Sequence, residues 1–218
     1  MFNWFKSKDI DLVRLDEDGW RLREKSSELK VWENSSGDVL SLNFFDKEPD
    51  IPFALSEVDG LRKFYRNLIA ESGGGILKLE TVELGGLTAI ETLCKLPKQP
   101  SGMIYVGSLT IPFREKSYVV KLQCTEQGIT GMREAVFFAS RAHFDEDGEE
   151  DFDPFKGWAK DPYDETFTDG VLMNLSEDEQ YDEKFPNHPL SRVRRYLKEI
   201  KQTISFDEKL FDLPKFAQ

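Results

Sequence analysis

The chain has 218 residues, 39% of them hydrophobic with 17 Phe, and a formal net charge of −12. It is long enough to bury roughly 70% of its unfolded surface, and it is too rich in aromatic residues to stay disordered. No stretch reaches the ~18 consecutive apolar residues of a membrane span, and the acidic balance disfavours nucleic acid, whose phosphates need a basic surface.

The opening Met1-Phe2-Asn3-Trp4-Phe5-Lys6 is aromatic but short. It lacks the apolar core of roughly 7–15 residues that a secretory signal requires, so a cytoplasmic location is expected. The rings of Phe2, Trp4 and Phe5 are expected to fold back on the body. Three candidate strands follow, Trp20 to Glu24, Glu28 to Trp32 and Asp38 to Phe45, separated by Ser- and Gly-containing turns.

After Pro52 the apolar period changes. Val58, Leu61, Tyr65 and Leu68 recur at three and four residues, which predicts a helix over 57–71 with Ser56 as N-cap and Gly73-Gly74-Gly75 as its stop. The order helix, glycines, strand is wrong for a phosphate cradle, which runs from strand into helix.

Four more strands are expected: Ile76 to Leu84, Leu87 to Leu96, Met103 to Phe113 and Ser117 to Glu126. Gly85-Gly86 and Arg114-Glu115-Lys116 are short enough for hairpin turns, so these strands should be antiparallel. In the last, Tyr118, Val120, Leu122 and Cys124 alternate with Lys121, Gln123 and Thr125, the mark of a sheet with one wetter face. A second helix is predicted from about Gly131 to Ala142, capped by Thr130, with Met132, Ala135, Val136 and Ala139 on its inner side.

The fold class is therefore α+β: a mostly antiparallel sheet of about six to seven strands flanked by helices. The Trp20 strand after Asp18-Gly19, the helix over 57–71, and the run from Tyr105 to Glu126 into Thr130-Gly131-Met132-Arg133 carry a likeness in element order. In that order, over residues 18–143, the chain resembles the Mog1/PsbP-like family. The resemblance implies a sheet sandwiched by helices and a protein-binding role, and it supplies no catalytic residues.

Residues 144–187 depart from that pattern. Between Asp145 and Lys184, 16 Asp/Glu face 3 Lys, a balance of −13, so the rest of the chain is close to neutral. The same stretch holds Phe152, Phe155, Trp158, Tyr163, Phe167, Tyr181 and Phe185. That mixture predicts an irregular arm pinned by its rings with carboxylates in water. Leu190, Val193, Leu197, Ile200 and Ile204 then mark a closing helix after Pro189, and the tail from Phe206 to Gln218 is apolar enough to pack back. The expected organisation is one domain: a leading segment 1–17, a core 18–143, the arm, and a packed C-terminal part 188–218.

Candidate chemistry is sparse, and no cofactor is expected. Cys94 and Cys124 lie in strands without CxxC spacing and read as buried hydrophobes. With His143 and His188 they match a zinc set in number but not in spacing. In the run Asp145–Asp151, placing Gly148 at the sixth position of a calcium loop puts His143 first and Pro154 twelfth, so that motif fails. There is no nucleophile elbow. Glu126, Thr130, Arg133 and Glu134 gather at a strand-to-helix turn where amides could bind an anion, with Arg133 the candidate.

Trp158 with Asp161-Pro162-Tyr163-Asp164 reads as a groove wall or as a turn, and the turn is favoured. The basic face Arg192, Arg195 and Lys198 is expected to lie against the arm. Trp158, Asp161, Tyr163, Asp164, Arg192 and Arg195 are the candidate partner-binding residues. The function expected is a non-enzymatic protein-binding module of adaptor, chaperone-like or inhibitor type, steered to a basic partner by its acidity. The alternative is a carboxylate-based hydrolase with or without a divalent metal.

Overall fold

The computed structural model describes residues 9–142 and 157–216. The aromatic start, His143 and the run Asp145–Asp151 lie outside them.

The seven expected strands all form. They are β2 (Trp20–Lys25), β3 (Leu29–Asn34), β4 (Val39–Phe45), β5 (Gly75–Leu84), β6 (Leu87–Pro97), β7 (Met103–Pro112) and β8 (Ser117–Thr125). Short pieces β1 (Val13–Arg14), β9 (Ala159–Lys160), β10 (Met173–Asn174) and β11 (Ser205–Phe206) make two small ladders, β1 with β11 and β9 with β10. The large sheet is antiparallel throughout, in the order β2-β3-β4-β8-β7-β6-β5. Gly85 and Gly86, both at positive φ, make the two-residue turn between β5 and β6 that right-handed strand twist favours.

Register decides which residues share a face. Leu40, Leu122, Gly107 and Leu93 lie in one row across β4, β8, β7 and β6. This face carries the main core, closed by α3 (Pro189–Thr203) through Leu190, Val193, Leu197 and Ile200. Each such buried side chain contributes about 1.5–3 kcal/mol. Gly107 sits under the helix, where a Cβ would stand 2.7 Å from Leu197 Cδ1 and 2.9 Å from Val193 Cγ2. His188 caps α3 by accepting the Leu190 N–H, with Pro189 in the first turn.

On the opposite face α1 (Val58–Glu71) covers β5 and β6 with a smaller core of Ile51, Leu61, Ile76, Leu79 and Ile90. The tail packs back as expected: Leu210 is fully buried, and Phe206, Leu213 and Phe216 lie against the two cores.

Three local expectations need correction. The residue before α1 is Glu57, not Ser56, and it makes no side-chain cap; its carboxylate accepts the Ala54 N–H instead. Leu68 points outward and Ile69 inward. The third concerns α2 (Met132–Ala142): Gly131, not Thr130, precedes its first turn and accepts the Ala135 N–H. Its expected inner side is also outside. Met132 is 49% exposed and Val136 46%, and Ala135 and Ala139 are exposed too, while Arg133 and Phe137 are buried. The arm chooses the face, because Phe137 and Phe138 pack on Trp158, and Phe137 also meets Tyr181.

The triple glycine has two separate causes. Gly73 takes a positive φ to end α1, and a Cβ on Gly75 would fall 1.6 Å from the Val171 carbonyl oxygen. The arm thus docks on backbone that only glycine leaves clear, and Val171 N–H donates to Gly74 O at 3.0 Å.

Candidate functional site

The arm is held by charge as well as by rings. Of its nine described carboxylates, Asp161, Asp164, Glu165, Glu177 and Asp182 each meet a Lys or Arg. Arg133, at 0% exposure, donates to Ser176 O, Ser191 Oγ, Asp178 O and Asp182 Oδ1. Its guanidinium is therefore spent inside the protein, which removes it as an anion-binding candidate.

Beside it lies a buried ion pair. Lys95 Nζ is 2.6 Å from Glu177 Oε2, and the Tyr105 hydroxyl donates to the other oxygen at 3.0 Å. Glu177 also accepts the Asn174 N–H at 2.8 Å in a reciprocal capping box. Burial, then the nearby Glu177 and Glu134 charges, push the Tyr105 hydroxyl far above its ordinary range, so it stays a donor.

Glu126, at the end of β8, completes the cluster. It accepts the Met103 N–H at 2.7 Å and the Gly131 N–H at 3.2 Å, and its Oε1 lies 3.5 Å from His188 Nε2. Burial opposes its ionisation, but His188 and the two amides outweigh that and hold the carboxyl below its usual range. His188 Nδ1 accepts the Leu190 N–H, and its Nε2 faces Glu126.

Two hollows meet at Glu126. One, of about 570 Å³, is lined by Lys95, Gly102, Glu126, Glu134, Trp158 and Asn174 among others. The other, of about 340 Å³, opens between His188, Arg192, Gln127, Ile129 and Met132. Along the rim runs a ridge of large apolar side chains, Ile129 at 79% exposure followed by Met132 and Val136. Glu134 faces this region with Oε1 3.5 Å from Asn174 Nδ2, while its Oε2 is buried with no hydrogen-bond partner among the described residues.

A third groove, of about 700 Å³, runs between α3 and the 179–186 segment. Its charges largely meet one another: Glu91 lies between Lys78 and Lys201, and Asp182 between Arg133 and Arg194. Among the described residues no three His, Cys, Asp or Glu side chains are placed to hold a metal, and no helix is long and apolar enough to cross a membrane. Burial pushes the Cys94 thiol up to about 11 and raises that of Cys124 further, which fits two inert thiols.

The residues singled out for partner binding are scattered. Trp158 lines the larger hollow. Asp161 accepts the Tyr163 and Asp164 N–H groups in a tight turn and, with Asp164, faces Arg66. The Tyr163 hydroxyl is bound to the backbone of Leu79. Arg192 forms a two-pronged pair with the fully buried Asp38, at 2.7 and 2.8 Å, and lines the smaller hollow. Arg195 stays near the surface beside Pro186 O. Arg192 and Arg195 meet the end of the arm at the Asn187 and Pro186 carbonyls, while Arg194, not singled out from the sequence, reaches its Asp182 carboxylate and Glu177 O. Sequence reasoning missed Lys95, Tyr105, Asn174 and Glu177, because three strands and a distant loop bring them together and no spacing announces it.

No family model matches the chain, and no curated protein does. Several solved structures resemble it in part, two of which follow. One, from Bacteroides thetaiotaomicron VPI-5482, is 7% identical with a TM-score of 0.35, and the match covers 55% of this chain and 41% of that one. The other, LpqN of Mycobacterium tuberculosis, described as involved in cell envelope biogenesis, is 18% identical with a TM-score of 0.30; coverage is 60% of this chain and 78% of that one.

Proposed function

We propose that the chain is a non-enzymatic protein-binding module of Mog1/PsbP-like kind, with its contact surface on the ridge Ile129–Met132–Val136 and the two hollows behind it. One observation carries the reading: Ile129 and Met132 stand exposed on the wall of the smaller hollow, with Val136 exposed one turn further along α2. Such clustering marks interaction sites, whereas scattered exposed apolar groups are ordinary. Of the ionisable groups behind the ridge, Lys95, Glu126 and Glu177 are held by internal bonds and support the surface rather than react on it. The remaining exposed acidity of the arm steers a basic partner toward this end of the sheet.

A carboxylate-based hydrolase is the second reading, favoured by the approach of Glu126 and His188 at the wall of the smaller hollow. Against it, Glu126 and His188 Nδ1 already serve backbone amides.

Tagged protein used to capture partners from its native lysate, at low and high salt, separates the two. Ile129→Asp with Met132→Asp should abolish capture, while Leu68→Asp, on another exposed apolar position, should leave it intact. Equal capture by both variants, or no captured partner at either salt, would overturn the binding reading. A hydrolytic activity lost in His188→Asn would establish the second.

A further inference from the structure

His188 has two partners that make opposite demands on its ring. It stands at the start of α3, where Nδ1 accepts the Leu190 N–H at 3.2 Å and so caps the helix. That bond needs a bare lone pair on Nδ1. On the other side Nε2 is buried, 3.5 Å from Glu126 Oε1, and makes no hydrogen bond among the described residues. A neighbouring carboxylate favours the imidazolium, in which both nitrogens carry protons. The ring can therefore keep the cap or take up a full charge opposite Glu126, but not both.

The other charges around the ring are committed elsewhere. Lys98 Nζ donates to the Glu126 main-chain oxygen at 3.0 Å, at the end of β8. From β7 the Tyr105 ring meets His188 edge to face at 5.4 Å, and its hydroxyl is bound to Glu177. Arg192, one turn along α3, donates its N–H to His188 O, while its guanidinium is held by Asp38 and the Asn187 carbonyl. Arg133 of α2 and Asp182 of the arm pair with each other. Among the described residues Glu126 alone makes an ion-pair contact with the ring. The ring also belongs to the wall of the smaller hollow, with Asn187, Pro189 and Arg192, so the chain entering α3 is part of the surface beside the ridge.

We propose that His188 is a pH-sensitive latch on the N-terminus of α3: unprotonated it caps the helix, and on protonation it releases the Leu190 N–H and closes on Glu126. Imidazole ordinarily changes charge between about pH 5 and 8, so the exchange of partners falls in that range. The released first turn and residues 187–189 shift the wall of the smaller hollow, which makes the surface beside Ile129 and Met132 sensitive to acid. This last consequence rests on the protein-binding reading; the latch itself does not.

NMR of the full chain from about pH 8 to 5 tests the latch without any partner. The sequence has one other histidine, His143, and a His143→Gln variant tells the two imidazoles apart. At the upper end Nδ1 of His188 should be bare and the Leu190 amide bonded. As the ring takes up its proton, the Leu190 amide should shift along the same curve, and so should the Met103 and Gly131 amides bound to Glu126. At the acid end the Leu190 amide should exchange about fivefold faster than in His188→Asn, which keeps a capping side chain but takes up no proton. A ring that holds one charge state across the range, a Leu190 amide that does not move with it, or the same shifts persisting in His188→Asn would overturn the latch. The wild-type curves decide the matter even where the variant is unstable. Capture of partners at both ends of the range reads the consequence: it should change with pH in the wild type and not in His188→Asn, and the same change in both would cut the latch off from the docking surface. Equal capture by the ridge variants and Leu68→Asp sinks the docking reading and leaves the latch standing.

Discussion

The Tyr163 hydroxyl binds both backbone groups of Leu79, accepting its N–H at 2.7 Å and donating to its C=O at 3.2 Å. Leu79 lies on β5, the last strand of the sheet, so one side chain from the arm substitutes there for a missing strand. Edge strands with free N–H and C=O groups are templates for unwanted pairing. Tyr163→Phe strands the Leu79 N–H at a buried residue and leaves its C=O only the Arg62 Nε donor at 3.3 Å, and should destabilise the protein by about 1–2 kcal/mol in urea unfolding. The Leu79 amide should also exchange faster with deuterium. An unaltered exchange rate would show that the hydroxyl does not protect this edge.

Lys95 and Glu177 predict a non-additive pair. Lys95→Met strands a buried carboxylate and should cost about 3–5 kcal/mol. Adding Glu177→Gln removes the stranded charge, so the double variant should be more stable than Lys95→Met alone. Denaturation of the two singles and the double measures the coupling, and strict additivity would contradict the buried pair.

Gly107 tests how closely α3 lies on the sheet. Gly107→Val places branched carbon against Leu197 and Val193, where even a single Cβ meets contacts under 3 Å. The expected loss is about 1–3 kcal/mol from overpacking. The thermal midpoint reads it, and an unchanged midpoint would mean that the helix shifts without penalty.

Glu126 sets a pH dependence with a definite sign. Its folded carboxyl ionises below the ordinary value of 4.5, so the folded state binds fewer protons than the unfolded state in that window. Its contribution is complete above 4.5 and is lost as pH falls through the lower, folded value. As pH falls from about 5 through the folded value, unfolding free energy should drop more steeply for the wild type than for Glu126→Gln. Parallel slopes would remove Glu126 as a source of acid sensitivity.

The sequence by itself determined the seven strands, their antiparallel turns, and the three main helices to within a residue or two. Those features rest on local causes: alternation in β8, the Gly85-Gly86 turn, Pro189 after His188, and Gly73 at the end of α1. Composition called for an arm over 144–187 pinned by its rings with carboxylates in water; in the described part Trp158 and Tyr181 do pack on Phe137, but Glu177 and Asp182 are paired inside rather than solvated.

Only the tertiary structure decided which side of α2 faces in. Periodicity offered Met132 and Val136 as core, but Arg133 finds four acceptors in the arm and α3, and Phe137 and Phe138 find Trp158 and Tyr181. Those partners lie about 20 to 60 residues away along the chain, and their summed bonds outweigh the burial of two aliphatic side chains. The same long-range closure assembles Lys95, Tyr105, Glu126 and Glu177 at one end of the sheet and leaves the ridge in water. A helical repeat records which residues share a face; only the elements folded against it determine which face is buried.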